Sequence, residues 1–267
     1  MSMTSPYLAE TLAIEGPDAI AFAQSQLSSR IDDIPVGHWR FSAWLDAKGR
    51  VIALFHVARI ADDRLLLLLR GGRAQDIVDA MKRYVFRSKV TLTAFAPRAL
   101  STSAAMNMHT VEHKDAHTLL GCDTHSLVIG ETSDDAWRLP QLHMGWPWLP
   151  DDALNQLLPP MISLHHLQAV SIDKGCYPGQ EIVARLHYRG GNKRHMHSVV
   201  LSRQVDAGTV WRNEERETLR LLDVAMQNNQ CIALAVVADD VVEGLHDNTL
   251  EIVHEKVYVT FNERWPN

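Results

Sequence analysis

The alternation of helical and β-rich patterns in the first hundred residues constrains the fold most. Apolar residues recur at helical spacing over 19–27 and again over 74–85. The pair 39–45 and 51–60 flanks Asp46-Ala47-Lys48-Gly49-Arg50, and a glycine-containing loop between two such runs predicts a β-hairpin. Strands, helices and a hairpin within one region predict the α+β class. The other β-rich runs, which we predict to be strands, lie at 7–15, 65–69 and 90–95.

After Gly190-Gly191, the mixed helical and β-rich patterns give way to a series of short β-rich runs. Short strands at close spacing are typical of a small closed barrel or a sandwich. We therefore predict two domains, 1–192 and 193–267, the second being a small C-terminal β-barrel. Residues 97–135 show little patterning apart from a strand end at 127–130. The β-rich runs of the second domain lie at 199–201, 219–224, 232–237, 250–253 and 256–261.

Charge and cysteine content narrow the class of protein. Lys and Arg number 26 and Asp and Glu 32, so the net charge is −6 over 267 residues. A protein that holds nucleic acid across a broad face usually carries the opposite sign. The cysteines, Cys122, Cys176 and Cys231, form no CxxC motif, so we predict no metal site, and scattered cysteines suit a reducing compartment. The start of the sequence lacks a basic segment, and the longest apolar run, Leu65–Leu69, is far too short to cross a bilayer. We expect a cytoplasmic protein without membrane contact.

Residues 174–194 contain the side chains that most clearly suggest a functional site in this sequence. The octapeptide Lys174-Gly175-Cys176-Tyr177-Pro178-Gly179-Gln180-Glu181 holds two glycines and a proline close together, which predicts a tight turn. Good helix formers follow and end at a glycine pair, which predicts a helix over 180–189. Cys176 lies just before this helix, with Lys174 two residues away, and both features favour the thiolate form. We interpret Cys176 as an exposed reactive thiol.

An alternative interpretation of Cys176 is a small apolar side chain packed in a strand-to-helix turn. The polar neighbours Lys174, Tyr177, Gln180 and Glu181 favour a functional role, because a turn in the core needs few hydrogen-bonding groups. From the residues alone, both interpretations stay open.

The octapeptide 174–181 resembles the signature K-G-C-Y-x-G-Q-E of the YgfZ family, folate-binding proteins related to the aminomethyltransferase (T-protein) of the glycine cleavage system. Residues that follow it also fit, namely Ala184-Arg185, Arg189-Gly190 and Asn192-Lys193-Arg194. Weaker matches occur upstream in the right order, at 14–19, 24–27, 46–50 and 87–90.

The resemblance implies a T-protein-like fold, in which an N-terminal α+β region with ferredoxin-like elements binds folate and a C-terminal β-barrel follows. It implies tetrahydrofolate or a one-carbon derivative as cofactor, and a role in the assembly or repair of iron–sulfur enzymes, including one that thiomethylates transfer RNA. Iron–sulfur client or assembly proteins would be the partners. Cys176 and Lys174 are the implied catalytic pair. A pterin needs a flat apolar face and an acid or amide, and its glutamate tail needs a cation. The expected folate contacts are Tyr7, Asp46, Trp137, Tyr177, Gln180, Glu181 and Arg185.

The sequence departs from the pattern of the aminomethyltransferases at three places. His143 stands where they carry a folate-contacting Glu, and Ala9 stands where a second stacking aromatic is expected, although Tyr7 is close. Ser28-Ser29-Arg30 stands where many relatives carry Thr-x-Asp. Aminomethyl transfer needs a carboxylate near the folate, so these departures favour an accessory protein over a transferase.

Two other functions stay open, and so does whether the protein is an enzyme. One is a folate-dependent aminomethyl or one-carbon transferase, and the other is a scaffold that has lost folate binding. Arg185, Arg189, Lys193 and Arg194 form a local basic strip. We interpret this strip as a solvated face or a grip on the anionic folate tail rather than as a contact with transfer RNA.

Overall fold

The structure is a computed structural model that describes residues 7–114, 117–245 and 247–266. Its described residues form three sheets and five α-helices, and each strand pairing described in them is antiparallel. Sheets and helices within one chain agree with the predicted α+β class. The helices are α1 (Ala19–Gln26), α2 (Ala74–Lys82), α3 (Arg138–His143), α4 (Gln180–Arg189) and α5 (Asp239–Glu243). None of the described helices is long and apolar enough to span a bilayer.

The first five-stranded sheet has the order β3-β4-β5-β2-β6. The central strand β5 is one apolar run, and Leu65 to Leu69 are all buried in it. Helix α2 packs its buried residues Ile77, Val78 and Met81 against this region, as their i, i+1, i+4 spacing predicts. The strands of this sheet are β2 (Thr11–Glu15), β3 (His38–Leu45), β4 (Val51–Ala61), β5 (Arg64–Leu69) and β6 (Thr91–Ala94).

Two local predictions for this region need correction. The single strand expected over 7–15 is two strands, because the chain changes sheets at Glu10, whose Oε2 accepts the Ala74 N–H at the start of α2. Asp18 precedes α1 as expected but makes no side-chain cap. Its carboxylate instead accepts the backbone N–H of Lys89 at 2.7 Å, tying α1 to the segment before β6.

A second five-stranded sheet, of order β1-β7-β10-β9-β8, occupies the residues that show little patterning in the sequence. Its outer strand β8 buries none of its residues fully, so no apolar alternation marks it. The predicted strand end at 127–130 is part of β10. The strands are β1 (Leu8–Ala9), β7 (Arg98–Ser103), β8 (Val111–Lys114), β9 (His117–Gly121) and β10 (Ser126–Gly130).

The third sheet has six strands in the order β12-β13-β14-β11-β16-β15. Its core is built from alternate residues of the strands, such as Leu219 and Leu221 on β13 and Ala233, Ala235 and Val237 on β14. The predicted strands of the C-terminal region are all present in it, and β12 was not predicted. The strands are β11 (Arg194–Leu201), β12 (Val210–Asn213), β13 (Arg216–Gln227), β14 (Gln230–Ala238), β15 (Thr249–Ile252) and β16 (Val257–Arg264).

The chain divides into two compact units that interleave along the sequence. The first unit comprises residues 1–45, 53–137 and 173–178, and the second comprises 46–52, 138–172 and 179–267. In the second unit, a buried ion pair between Arg138 and Asp223, 2.5 Å apart, fastens α3 to β13. The octapeptide is thus shared, with 174–178 in the first unit and 179–181 in the second.

Candidate functional site

The turn at residues 173–178, which we call the thiol turn, presents Cys176 to solvent in the first unit. Buried or paired side chains flank Cys176 on both sides. Arg30 bonds the backbone oxygen of Asp173 at 3.3 Å and lies 3.4 Å from its carboxylate. Lys174 and Tyr177 are both buried. The thiol is therefore held at the surface by anchors on either side.

Lys174 is the main anchor of the thiol turn. Its ammonium donates to the backbone oxygens of Leu27 at 2.6 Å and Ser29 at 2.7 Å. These carbonyls lie at and just beyond the end of α1, where helices leave oxygens without partners. Burial lowers the pKa of Lys174 to about 8. The sequence could not show this contact, because the acceptors are backbone atoms about 145 residues away along the chain.

Tyr177 packs beneath the thiol turn with an unsatisfied hydroxyl group. The Lys174 ammonium lies 5.2 Å from the centroid of the Tyr177 ring, a cation–π distance. The hydroxyl of Tyr177 is buried without a hydrogen-bond partner among the described residues, and so is the hydroxyl of Ser29. Burial raises the pKa of Tyr177 well above its usual value, so this phenol stays protonated. A buried phenol without a partner is costly, and a ligand could supply one.

The three cysteines differ sharply in their surroundings. Cys122 and Cys231 are buried, and burial raises the pKa of Cys122 to about 12 and that of Cys231 above its usual value. Cys176 alone is exposed. Reagents and partners in solution therefore reach Cys176 before the other two cysteines. Cys176 lies three residues before Gly179, the N-cap of α4, and so outside the first turn of the helix.

Trp137 and Tyr7, two of the expected folate contacts, touch each other in the first unit. Their ring centroids are 5.5 Å apart and the rings are perpendicular. Trp137 is fully buried and its Nε1–H donates to the backbone oxygen of Asp134 at 3.0 Å. Tyr7 is half-buried, while Ala9, the position of the expected second aromatic, lies in β1 and is fully buried. Tyr7 thus brings an aromatic ring against Trp137, and its role as a folate contact stays a prediction.

The hairpin loop and the start of α4 meet within the second unit. Gly179 has a φ of +79°, and a Cβ added there would lie 2.5 Å from the backbone oxygen of Asp46 and 2.9 Å from the Cα of Gly49. Two matches to the same family, 46–50 and 174–181, are thus in contact at Gly179. The Asp46 carboxylate itself accepts the N–H groups of Lys48 and Arg50, each at 2.8 Å. These hydrogen bonds stabilise the conformation of the hairpin loop that contains Asp46.

Helix α4 spans the residues that the sequence predicts, 180–189. Gln180 donates to the backbone oxygen of Ile172 at 3.4 Å, while Glu181 and Arg185 are exposed. The ring centroids of His187 and His165 are 5.1 Å apart, a contact that no sequence pattern predicts. His143, at the end of α3, is exposed. No group of three potential metal ligands occurs among the described residues.

Comparisons with known proteins agree with the resemblance in the octapeptide. The model of the GCVT N-terminal domain matches residues 8–102. A tRNA-modifying protein YgfZ of Sodalis glossinidius is 27% identical over 70% of this chain and 67% of its own length. A second, from Aliivibrio fischeri, is 24% identical over 92% of this chain and 88% of its own. The chain is a homologue of the YgfZ proteins.

The fold of this YgfZ homologue is also that of a glycine cleavage enzyme. An aminomethyltransferase T of the glycine cleavage system from Bartonella henselae superposes with a TM-score of 0.67 at 16% identity. The match covers 96% of this chain and 83% of the other. At this identity the likeness concerns the fold alone. It supports a GcvT-like fold that is broadly α+β.

Proposed function

We propose that this YgfZ homologue is a folate-binding accessory protein that supports the assembly or repair of iron–sulfur clusters, and through it the modification of transfer RNA. Cys176 is the working thiol in this proposal. Iron–sulfur client or assembly proteins are its partners, and the reducing cytoplasm is where such a thiol would be kept. The relatives named tRNA-modifying protein YgfZ support the link to transfer RNA.

The observation that carries the proposal is the exposure of Cys176 between two buried neighbours of the same octapeptide. Lys174 is bonded to Leu27 and Ser29, and Tyr177 is buried beside it. A cysteine retained only for packing would be buried, as Cys122 and Cys231 are. We therefore assign Cys176 the chemistry and Lys174 the positioning of the turn that displays it.

Two features of the first unit fit a folate. Tyr7 and Trp137 form an aromatic pair, and a pterin prefers such apolar flat surroundings. The buried hydroxyl of Tyr177 is free to bond a ligand. The bound folate would supply a one-carbon group or a pterin redox centre, while Tyr7, Trp137 and Tyr177 hold and orient it. The roles of Gln180, Glu181 and Arg185 as folate contacts stay predictions from the resemblance.

A titration with tetrahydrofolate or folinic acid, followed by tryptophan fluorescence, tests folate binding. We expect quenching that saturates in the wild type and is weakened by Trp137→Phe, with Trp211→Phe in the second unit as the matched control. Absence of quenching at millimolar ligand would contradict folate binding.

A complementation assay tests the thiol. In cells that lack the endogenous YgfZ protein, Cys176→Ala should fail to restore an iron–sulfur enzyme that modifies transfer RNA, while Cys231→Ala restores it. The circular dichroism of both variants should match the wild type. Full rescue by Cys176→Ala would remove the thiol from the mechanism.

A second candidate function is aminomethyl or one-carbon transfer, which the fold of the Bartonella enzyme favours. The exposed His143 in place of a folate-contacting Glu and the engagement of Asp46 within its own loop argue against it. Formation of methylene-tetrahydrofolate from an aminomethylated lipoyl carrier would establish it. A folate-free scaffold is the third possibility, and saturable folate binding would exclude it.

The proposed function also includes the domain bounds, the barrel and the ferredoxin-like elements that the resemblance implies. We infer that the six-stranded sheet closes into a small barrel domain over 193–267, that residues 1–192 form the folate-binding region, and that the first sheet with α1 and α2 has ferredoxin-like elements. Supporting this, the third sheet begins at Arg194.

A further inference from the structure

The segment between α2 and β6 carries an exposed phenylalanine that neither packing nor turn geometry explains. Phe86 is 87% exposed, the largest exposure among the exposed large apolar side chains described. The Ser88 N–H donates to the Val85 oxygen at 2.8 Å, so Phe86 is the second residue of a four-residue turn. Its φ is +43°, a conformation that favours glycine and strains a bulky side chain.

This turn is rigidly held. We call residues 83–89 the Phe86 turn. On one side, the ring of Tyr84 contacts the buried Trp44, with centroids 6.1 Å apart, and the Tyr84 N–H bonds the Met81 oxygen. On the other side, the Lys89 N–H donates to the Asp18 carboxylate. Phe86 is thus projected from a fixed support and is not part of a frayed end.

The sequence around Phe86 is basic, and the one carboxylate described at the turn, that of Asp18, accepts the backbone N–H of Lys89. Between Asp79 and Glu112 the sequence has no acidic residue, although the whole protein is acidic with a net charge of −6. Lys82 is neutralised by an ion pair with Asp79 at 2.8 Å. The three cations of the Phe86 turn itself, Arg83, Arg87 and Lys89, are all exposed, and the guanidinium of Arg83 lies 5.2 Å from the centroid of the Tyr84 ring.

An exposed aromatic ring with three exposed cations within three residues along the chain suits the chemistry of an unpaired RNA strand. Bases stack on aromatic faces with little regard to sequence, and cations hold the neighbouring phosphates. A lipid surface also attracts basic segments, but its binding grows with inserted apolar area. The Phe86 turn offers one exposed ring, since Tyr84 and Val85 are half-buried. Three exposed cations beside a single exposed aromatic ring favour binding of RNA over binding of a lipid surface.

We propose that the Phe86 turn docks single-stranded RNA, with one base stacked on Phe86 and flanking phosphates held by Arg83, Arg87 and Lys89. This site deepens the proposed function by naming a direct RNA contact, and it rests on that function only for the identity of the RNA. It lies in the first unit, away in sequence from the basic strip at 185–194.

The test is fluorescence anisotropy of the full-length protein with labelled oligouridine at several salt concentrations. Phe86→Ala should raise the Kd about tenfold, as expected for the loss of one stacked base. Arg87→Ala should weaken binding and lower the slope of log Kd against log salt by about 0.7, the contribution of one phosphate contact. The matched controls are Val253→Ala and Arg212→Ala, which alter an exposed apolar and an exposed basic residue of the second unit and should leave the Kd unchanged.

Phe86→Gly separates docking from structure. Glycine relieves the positive φ, so this variant should unfold at the same or a higher temperature than the wild type while losing RNA affinity. A lower melting temperature would show that Phe86 is structural and would overturn the proposal.

Two further results would also overturn it: no binding of oligouridine by the wild type, or binding of anionic phosphatidylserine vesicles that depends on Phe86 while RNA binding does not. The folate titration is independent of the Phe86 turn and should be unchanged in Phe86→Ala. Loss of RNA docking with intact folate binding is therefore distinguishable from failure of the proposed function.

Discussion

Lys174 and Cys176 are two residues apart and have opposite surroundings. The Lys174 side chain runs inward to two carbonyl oxygens of the segment after α1, whereas Cys176 faces solvent. A cation that satisfies carbonyls at a helix end also interacts favourably with the helix dipole. The sequence predicts a functional role for both residues. The structure shows that Lys174 anchors the turn and that Cys176 is exposed to solvent.

Lys174→Met should destabilise the protein by about 2 kcal/mol, because two buried carbonyls lose their donor while the apolar stem is kept. Hydrogen exchange should quicken at residues 27–29 and in the thiol turn. Lys193→Met, at an exposed lysine, is the control and should change stability by less than about 0.5 kcal/mol. Equal effects of the two substitutions would contradict an anchoring role for Lys174.

At the scale of elements, the junction between the hairpin loop and α4 depends on glycine. Gly179 combines a φ of +79° with a backbone oxygen 2.5 Å from where a Cβ would sit. Gly175, in the same octapeptide, would place a Cβ in open space and has no positive φ recorded. The two glycines of one motif are therefore needed to different degrees by the fold.

Gly179→Ala should cost about 2 kcal/mol or more, since it adds both backbone strain and a clash with backbone atoms that cannot move aside cheaply. Gly175→Ala should stay within about 0.5 kcal/mol of the wild type. Urea unfolding of both variants measures the difference. A Gly175→Ala variant as unstable as Gly179→Ala would show that the local geometry is wrong.

Elements with clear signals at their ends could be predicted from the sequence, and elements without such signals could not. Helix α4 is predicted with its observed bounds because Gly179 starts it and Gly190 ends it. The second sheet is missed because its strands are short and β8 has no buried face. Of the candidate site, an exposed Cys176 is one of two interpretations that the residues leave open, and the structure shows it exposed. The bonds of Lys174 to distant carbonyls could not be predicted, since backbone acceptors leave no mark in the sequence.

At the scale of the whole molecule, buried histidines link stability to pH. His197 on β11 packs against Phe261, with ring centroids 5.5 Å apart, and burial together with Arg264 lowers its pKa to about 4. Burial also lowers the pKa of His56 in the first unit well below its usual value. Both rings stay neutral in the folded state at pH values where the unfolded chain takes up protons. Stability should therefore fall as the pH drops from about 6.5 towards 4.

His197→Gln should lessen this acid sensitivity. Between about pH 7 and about pH 5, the wild type should lose about 2 kcal/mol more than the variant, from the proton that unfolded His197 binds and folded His197 does not. Chemical unfolding at the two pH values measures it. His254→Gln, at an exposed histidine, should keep the wild-type dependence. An unaltered pH dependence in His197→Gln would contradict a neutral buried ring.

In the proposed function, the exposed sulfur of Cys176 and the folate contacts Tyr7 and Trp137 belong to the same unit, and the alkylation rate of Cys176 tests this link most directly. With Cys122 and Cys231 buried, iodoacetamide should modify Cys176 selectively, and mass spectrometry of the peptide gives the rate. Saturating folinic acid should slow this rate in the wild type and have a weaker effect in Trp137→Phe. A rate that is the same with and without the ligand would contradict the account.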